Sequence, residues 1–461
     1  MGEEAKWVRK ALRIEVSMDS LSESEMLLVV YRLSFSARRP VQTQEVEQAL
    51  RHLYRKTPNL RVCLTDKDGE KWFKEVDEKM IDFEVSAVGV EEVTEFLHTH
   101  SYPKDAILWR ARLVPVATPC YHPQHLSSFH TDLQGTFPHC YHLVFGFSHA
   151  IGDGHTFIRI CAAFSHILDS VLSGKEVDTK QIGCFDLNEE YESKIEEIKK
   201  RLLKDEVWRE ECIRELNEGK PESSILQHVL SPCEDRPKKT LLHTQTLDKA
   251  ATTRLVDKCR AAKVTLSSCM AAVCNMALVD LLVEKGVVQD TYTVSNMHMI
   301  NMRRTWPKET TEHAFGWYIS SSFRQFFVTP RTVDGDEFWQ YTREIHSKFY
   351  SFLQDEQFME KAAFVKWCYS TGNRQIFKRD LSFNTRGNLT QRFEGTKEIT
   401  VTNLLSSTSI HNSTIPWNDI VGTVRGRLSH TTKYNTSMVT KATALQYSDL
   451  VYARLLKITA P

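Results

Sequence analysis

The sequence predicts an α/β protein built as two lobes, and three observations carry that expectation. Its 461 residues suffice for two domains or two large lobes. Short apolar runs bounded by turn residues alternate with stretches whose apolar side chains recur every three or four positions, so strands and helices follow one another along the chain. Between residues 186 and 220 the composition turns highly charged, with EEYESKIEEIKKRLLKDEVWREE at its centre, and this segment reads as a connection between lobes. The expected divisions are an N-terminal lobe over 1–180, a charged helical connection over 181–240 and a C-terminal lobe over 241–461.

Composition excludes several classes of function. Lys plus Arg equals Asp plus Glu at 59 each, so no basic stripe argues for nucleic acid and no polybasic cluster for an anionic membrane. Eleven cysteines are scattered from Cys63 to Cys368 without a CxxC pair. An odd count without a signal peptide favours free thiols in a reducing compartment. The N-terminus is charged from the start, and no apolar run approaches transmembrane length. The expectation is a soluble cytoplasmic protein with no transmembrane segment.

Taken in order, residues 11–36 read as a strand, a short turn and a second apolar strand. Val41 to Lys56 reads as a helix with Thr43 as its cap and Val46, Ala49, Leu50, Leu53 and Tyr54 on one face. Pro58 ends it, a strand begins at Leu60, and Asp68-Gly69 marks a two-residue hairpin turn into Lys71 to Val76. Leu108 to Val114 is a further strand. Residues 117–139 then form a long loop with Cys120, His122, His125, His130 and His139, close to Cys140, His142, His98 and His100. The spacing lacks the paired ligands of a zinc site, so no metal is expected and a solvated hairpin insertion is the better reading.

The most informative stretch is Tyr141 to Gly154, YHLVFGFSHAIGDG. A short buried strand delivers His149 to a glycine-studded turn, with the carboxylate of Asp153 four residues on. A helix follows, with Phe157, Ile160, Cys161, Phe164, Ile167, Leu168 and Leu172 on its face and Gly174 as its stop. In the charged segment, Ile195, Ile198, Leu202, Leu203, Val207 and Trp208 recur at helical spacing, which predicts an exposed amphipathic helix broken by Gly219-Lys220-Pro221. The second half reads as a strand over Leu241 to Leu247, a helix over Thr252 to Ala262, and a long apolar helix through Met270 to Leu281. A strand over Tyr292 to Met302, another over Phe315 to Phe323, the strand Glu398 to Leu405 and a final helix from Lys441 complete the chain.

His149-Ala150-Ile151-Gly152-Asp153-Gly154 resembles the His-x-x-x-Asp-Gly motif of the chloramphenicol-acetyltransferase-like superfamily, which includes alcohol acetyltransferases, plant BAHD acyltransferases and the condensation domains of peptide synthetases. Other pieces resemble the same families in the same order. They are Pro58-Asn59-Leu60-Arg61 after its helix, the strand Leu108 to Val114, Cys259 to Thr265 with the helix after it, Asn301-Met302-Arg303, the Phe315 to Phe323 strand and Glu398 to Leu405. The resemblance spans roughly residues 11–456 and implies two pseudo-symmetric lobes, each a mixed sheet flanked by helices, with an active-site tunnel between them. Two departures stand out. Ser148 replaces the first histidine common in condensation domains, and Ser320-Ser321 stand where the families carry Asn-Thr.

The resemblance also implies a chemistry. His149 is the general base that deprotonates an alcohol or amine as it attacks a thioester, with no covalent intermediate, no metal and no redox cofactor. Acyl-CoA is the expected co-substrate, and an acyl-carrier protein the alternative donor. Asp153 points away from the reaction and pairs with an arginine, Arg303 first and Arg304 second. Gly154 lets the backbone turn where a Cβ would clash. Trp317, Ser320 and Ser321 line the substrate or donate to the developing oxyanion. A catalytically silent binding module of the same fold is the third reading.

Overall fold

The structure is a computed structural model describing residues 6–117, 129–185, 188–221, 223–305, 313–322, 325–355, 358–370 and 379–460. It divides into two compact units. One comprises Met1–Glu192, Asn301–Tyr318 and Thr390–Asn412; the other comprises Ser193–Ile300, Ile319–Leu389 and Ser413–Pro461. This corrects the expected division at 180 and 240. The strand Ile399–Thr408, from the sequence's second half, pairs antiparallel with Val29–Ala37 along its whole length, so backbone hydrogen bonding places it in the first unit.

The first unit is built on a five-stranded sheet with Val29–Ala37 between Ile399–Thr408 and His139–Phe147, followed outward by Trp109–Val116 and Asp82–Val85. All neighbours are antiparallel except the last pair, which is parallel, so the sheet is mixed. The helix Val90–Thr99 buries Val93 and Leu97 with Val30, Val114 and Val144 of the sheet. Other sheet side chains meet the helix Gly154–Leu172, where Phe147 stacks on Phe157 at 4.4 Å and Phe145 meets Phe164 edge-on at 5.6 Å. Each fully buried phenylalanine contributes about 1.5–3 kcal/mol by leaving water. A separate three-stranded sheet contains the hairpin Val62–Lys67 and Glu70–Glu75, joined by Asp68 and Gly69 at φ of 51° and 78° as a two-residue turn requires.

Residues 13–23 depart from expectation, since Arg13–Glu23 is a helix and not a strand. The alternation of Ile14, Val16 and Met18 mimics a strand, but the buried positions are Glu15, Met18 and Ser22, a helical spacing. Glu15 accepts the Leu12 amide at 2.8 Å and forms a bidentate pair with Arg9 at 2.7 and 2.9 Å, which fixes the start of the helix. The helix Thr43–Lys56 buries the predicted face, although Gln42 and not Thr43 occupies the cap position.

The second unit is organised around the helix Leu266–Glu284 and a seven-stranded mixed sheet. Thr265 caps this helix, its hydroxyl accepting the Ser268 amide. The helix is long and apolar enough to cross a membrane, contrary to the expectation that no run approaches that length, yet 78% of its apolar window is buried. Its apolar residues lie all round because sheet, Gly335–Gln354 and Lys441–Thr459 enclose it. The charged segment forms two helices, Asn188–Lys204 and Glu206–Asn217, where one was expected. Asp205 breaks it and caps the second through the Trp208 amide at 2.9 Å. Ile198, Leu202 and Trp208 are buried, whereas Leu203 and Val207 face solvent.

Candidate functional site

The strand His139–Phe147 ends where the Ser148 amide donates to the Leu108 carbonyl at 2.9 Å. The Ser148 hydroxyl then accepts the Ala150 amide at 3.3 Å and opens the single turn His149–Ile151. Asn59 braces this turn by donating to the Ile151 carbonyl at 2.8 Å. The chain passes through Gly152 in extended conformation and enters the helix Gly154–Leu172, with Asp153 as its cap.

The steric requirement for glycine lies at 152 and not, as expected, at 154. A Cβ on Gly152 would stand 2.8 Å from Thr156 Cγ2 and 3.1 Å from Phe157 Cε1, the latter a stacked ring in the core. On Gly154 it would meet only the Tyr31 hydroxyl at 3.4 Å, an ordinary contact, on a helical residue. Gly154 contributes its carbonyl, which accepts from the Tyr31 hydroxyl at 3.2 Å.

His149 is half-buried, and its Nδ1 lies 2.7 Å from the Gly152 carbonyl. That separation suits an N–H donating to a carbonyl, a tautomer that leaves Nε2 as the basic nitrogen. Trp317 approaches the same Nδ1 with its indole Nε1 at 3.1 Å. The two rings meet edge-on at 5.8 Å. Trp317, expected at the substrate, thus touches the His149 imidazole itself.

Asp153 turns away from the imidazole into a buried network. One carboxylate oxygen accepts the Thr156 amide at 3.0 Å; the other accepts Arg303 Nη1 at 2.7 Å and the Tyr318 amide at 3.0 Å. Burial alone would raise this carboxyl, but the Arg303 charge and these hydrogen bonds outweigh it and hold the group below its ordinary value. Arg303 spends its remaining donors on the carbonyls of Ala314 and Gly316, the side chain of Asn301 and the Thr156 hydroxyl. Its guanidinium lies 4.6 Å from the centre of the Tyr318 ring. The first-choice partner is therefore the one observed; the Arg304 side chain lies outside the described ones.

Three contributors escape sequence reasoning. Thr156 ties helix to Arg303 and Gly316, accepting from Arg303 Nη2 at 3.1 Å and from the Gly316 amide at 3.2 Å. Its place three residues after an N-cap aspartate was the available signal. The Tyr318 amide and the Asn59 side chain carry no such signal. His155, beside the motif, is pushed down to about 4, by burial first and then by the Arg303 charge, so it is neutral near pH 7.

Ser320 and Ser321 belong to the strand Ile319–Ser321 of the second unit; Phe323 lies outside the described residues. The Ser320 hydroxyl donates to the Ala362 carbonyl at 3.4 Å, whereas the buried Ser321 hydroxyl has no hydrogen-bond partner among the described residues.

Of the His-rich loop, Cys120, His122 and His125 lie outside the described residues. His142 pairs with Ser34 at 2.9 Å and His98 with Ser407 at 2.7 Å, each engaged separately. Among the described residues one set of candidate metal ligands converges, Cys274, Asp419 and His430 in the second unit. His430 Nε2 lies 2.8 Å from Asp419 Oδ1, and the Tyr447 hydroxyl donates to Oδ2 at 3.1 Å. Nitrogen and oxygen sharing a tetrahedral zinc would stand about 3.3 Å apart. The 2.8 Å and 3.1 Å contacts are those of a hydrogen-bonded core network.

No family model matches the chain, and no curated protein matches it in sequence. Solved structures match it over nearly its full length. The trichothecene 15-O-acetyltransferase of Fusarium sporotrichioides has a TM-score of 0.67 at 12% identity, covering 97% of this chain and 95% of that one. The first condensation domain of the CDA synthetase gives 0.66 at 11%, covering 98% and 97%. The epimerization domain from the third module of tyrocidine synthetase B gives 0.65 at 13%, covering 99% of both. The chain has the chloramphenicol-acetyltransferase-like fold, the architecture it shares with this acetyltransferase and these two synthetase domains.

Proposed function

We propose that the protein is an acyltransferase that moves an acyl group from a thioester, acyl-CoA, to a hydroxyl or amine acceptor, with His149 as general base. The observation that carries this reading is the 2.7 Å contact between Nδ1 and the Gly152 carbonyl, which supports a ring oriented with Nε2 as the base. The acceptor gives its proton to Nε2 as its oxygen or nitrogen bonds to the thioester carbonyl carbon. Collapse of the tetrahedral intermediate breaks the C–S bond, and the imidazolium returns the proton to the departing thiolate. The sequence resemblance assigns Ser320 and Ser321 to the substrate. Asp153 and Arg303 support the turn and not the reacting atoms.

The experiment is release of free CoA thiol from a panel of acyl-CoAs with mixed alcohols and amines, comparing wild type with His149→Ala. Acceptor-dependent release that vanishes in the variant supports the reading. The full-length match to synthetase condensation domains favours one second reading, a carrier-protein donor. Turnover with an acyl-carrier protein but none with free acyl-CoA would select it. A folded protein inactive with both donors would leave the silent binding module.

A further inference from the structure

Two groups compete for one nitrogen of His149. The Gly152 carbonyl lies 2.7 Å from Nδ1, and the Trp317 indole N–H is directed at that same atom at 3.1 Å. A neutral imidazole carries a single N–H. With the proton on Nδ1, the carbonyl is satisfied and the indole N–H faces another N–H. With the proton on Nε2, the indole is satisfied and the carbonyl faces a lone pair. In that second tautomer Nε2 has no lone pair with which to take a proton from an acceptor.

We propose that Trp317 is a positioning residue that sets the tautomer of His149, holding part of the population in the unreactive Nε2–H form until its indole is drawn away. The inference rests on the reading of His149 as a base. The two partners differ in freedom. The Gly152 carbonyl belongs to a turn fixed by Asn59 and by the helix cap, so it does not yield without the turn. Trp317 is a half-buried side chain with rotatable bonds, following a Gly316 whose backbone is tied to Thr156 and Arg303. The indole is therefore the movable member. A substrate oxygen that accepts the indole N–H would free Nδ1 to donate to Gly152 and make the base reactive only when the site is filled. Hydrolysis of a thioester by stray water is then disfavoured in the partly filled site.

The test is NMR of protein labelled with 15N at histidine and tryptophan, under conditions where the ring is neutral. In the substrate-free wild type, a scalar coupling between Trp317 Nε1 and His149 Nδ1 across the hydrogen bond is expected, with a measurable Nε2–H population. Trp317→Phe should abolish the coupling and move the tautomer ratio roughly fivefold toward Nδ1–H, the worth of one neutral hydrogen bond. Acceptor-independent thioester hydrolysis should rise in the same variant. Absence of the coupling in folded wild type, or an unchanged ratio in Trp317→Phe, overturns the proposal. Should the variant not fold, the wild-type coupling alone decides. A tautomer ratio that responds in a protein without acyl transfer upholds the tautomer control while removing the acyltransferase reading.

Discussion

At the scale of single residues, the turn that carries His149 depends on one missing Cβ. A methyl at Gly152 has to displace Thr156 and the ring of Phe157, whereas one at Gly154 reaches only ordinary contact. Gly152→Ala is therefore expected to cost about 1–3 kcal/mol of stability, as overpacking does, and to cut the proposed acyl transfer at least tenfold by shifting His149, its proposed base. Gly154→Ala should leave stability within about 1 kcal/mol of wild type. Chemical denaturation and initial rates on the two variants check this pair, and equal damage would contradict it. In the sequence, His149, Asp153 and Arg303 were legible through a motif and its ordered companions. The relative importance of the two glycines was not, because it depends on where Thr156 and Phe157 return after one helical turn. Asn59 belongs to the Pro58-Asn59-Leu60-Arg61 stretch, but its hydrogen bond to Ile151 joins positions far apart in sequence and has no local trace.

At the scale of elements, the helix Gly154–Leu172 positions the site at one end and secures the sheet at the other. Near its C-terminus the buried Asp169 accepts the amides of Lys397, Glu398 and Ile399 at 2.7, 2.6 and 3.3 Å. It thereby fixes the entry of the strand that pairs with Val29–Ala37. Asp169→Ala leaves those amides without their acceptor and is expected to cost about 1–3 kcal/mol. Hydrogen exchange of residues 397–408 should quicken in the variant, and unchanged exchange would contradict this role. Helices with a clear apolar face, such as Thr43–Lys56, were read from the sequence nearly to the residue. Arg13–Glu23 was misread because its short apolar alternation fits a strand, while its actual register rests on Glu15 and Arg9. Ile399–Thr408 was recognised as a strand but given to the wrong lobe, since strand pairing is not written in the strand itself.

At the scale of the whole molecule, several histidines are buried as neutral rings and tie stability to pH. Burial pushes His142 down to about 3, with the Arg32 charge adding to it, and pushes His298 down to about 4. The His298 ring lies 4.4 Å from Phe349 and 5.0 Å from Phe383. An unfolded histidine takes up its proton near pH 6.5, so below that value the unfolded chain binds more protons than the native one. The stability carried by these rings is complete above about pH 6.5 and is lost progressively as pH falls toward the native values. His298→Phe should remove one proton from the acid limb, reducing its slope between about pH 6 and 4.5 by up to 1.4 kcal/mol per pH unit. Urea midpoints across that range measure it, and an identical slope in the variant would contradict the assignment.

The measurement that tests the central claim most directly is a single-turnover reaction of acyl-CoA and acceptor, with product and intact protein both weighed by mass spectrometry. It compares the wild type with His149→Ala of confirmed fold. The account predicts acylated acceptor from the wild type, no acyl adduct on the protein, and a rate lower by about 10²–10⁴ in the variant. An acylated protein in the wild type, or an undiminished rate in His149→Ala, would contradict direct transfer with His149 as the base.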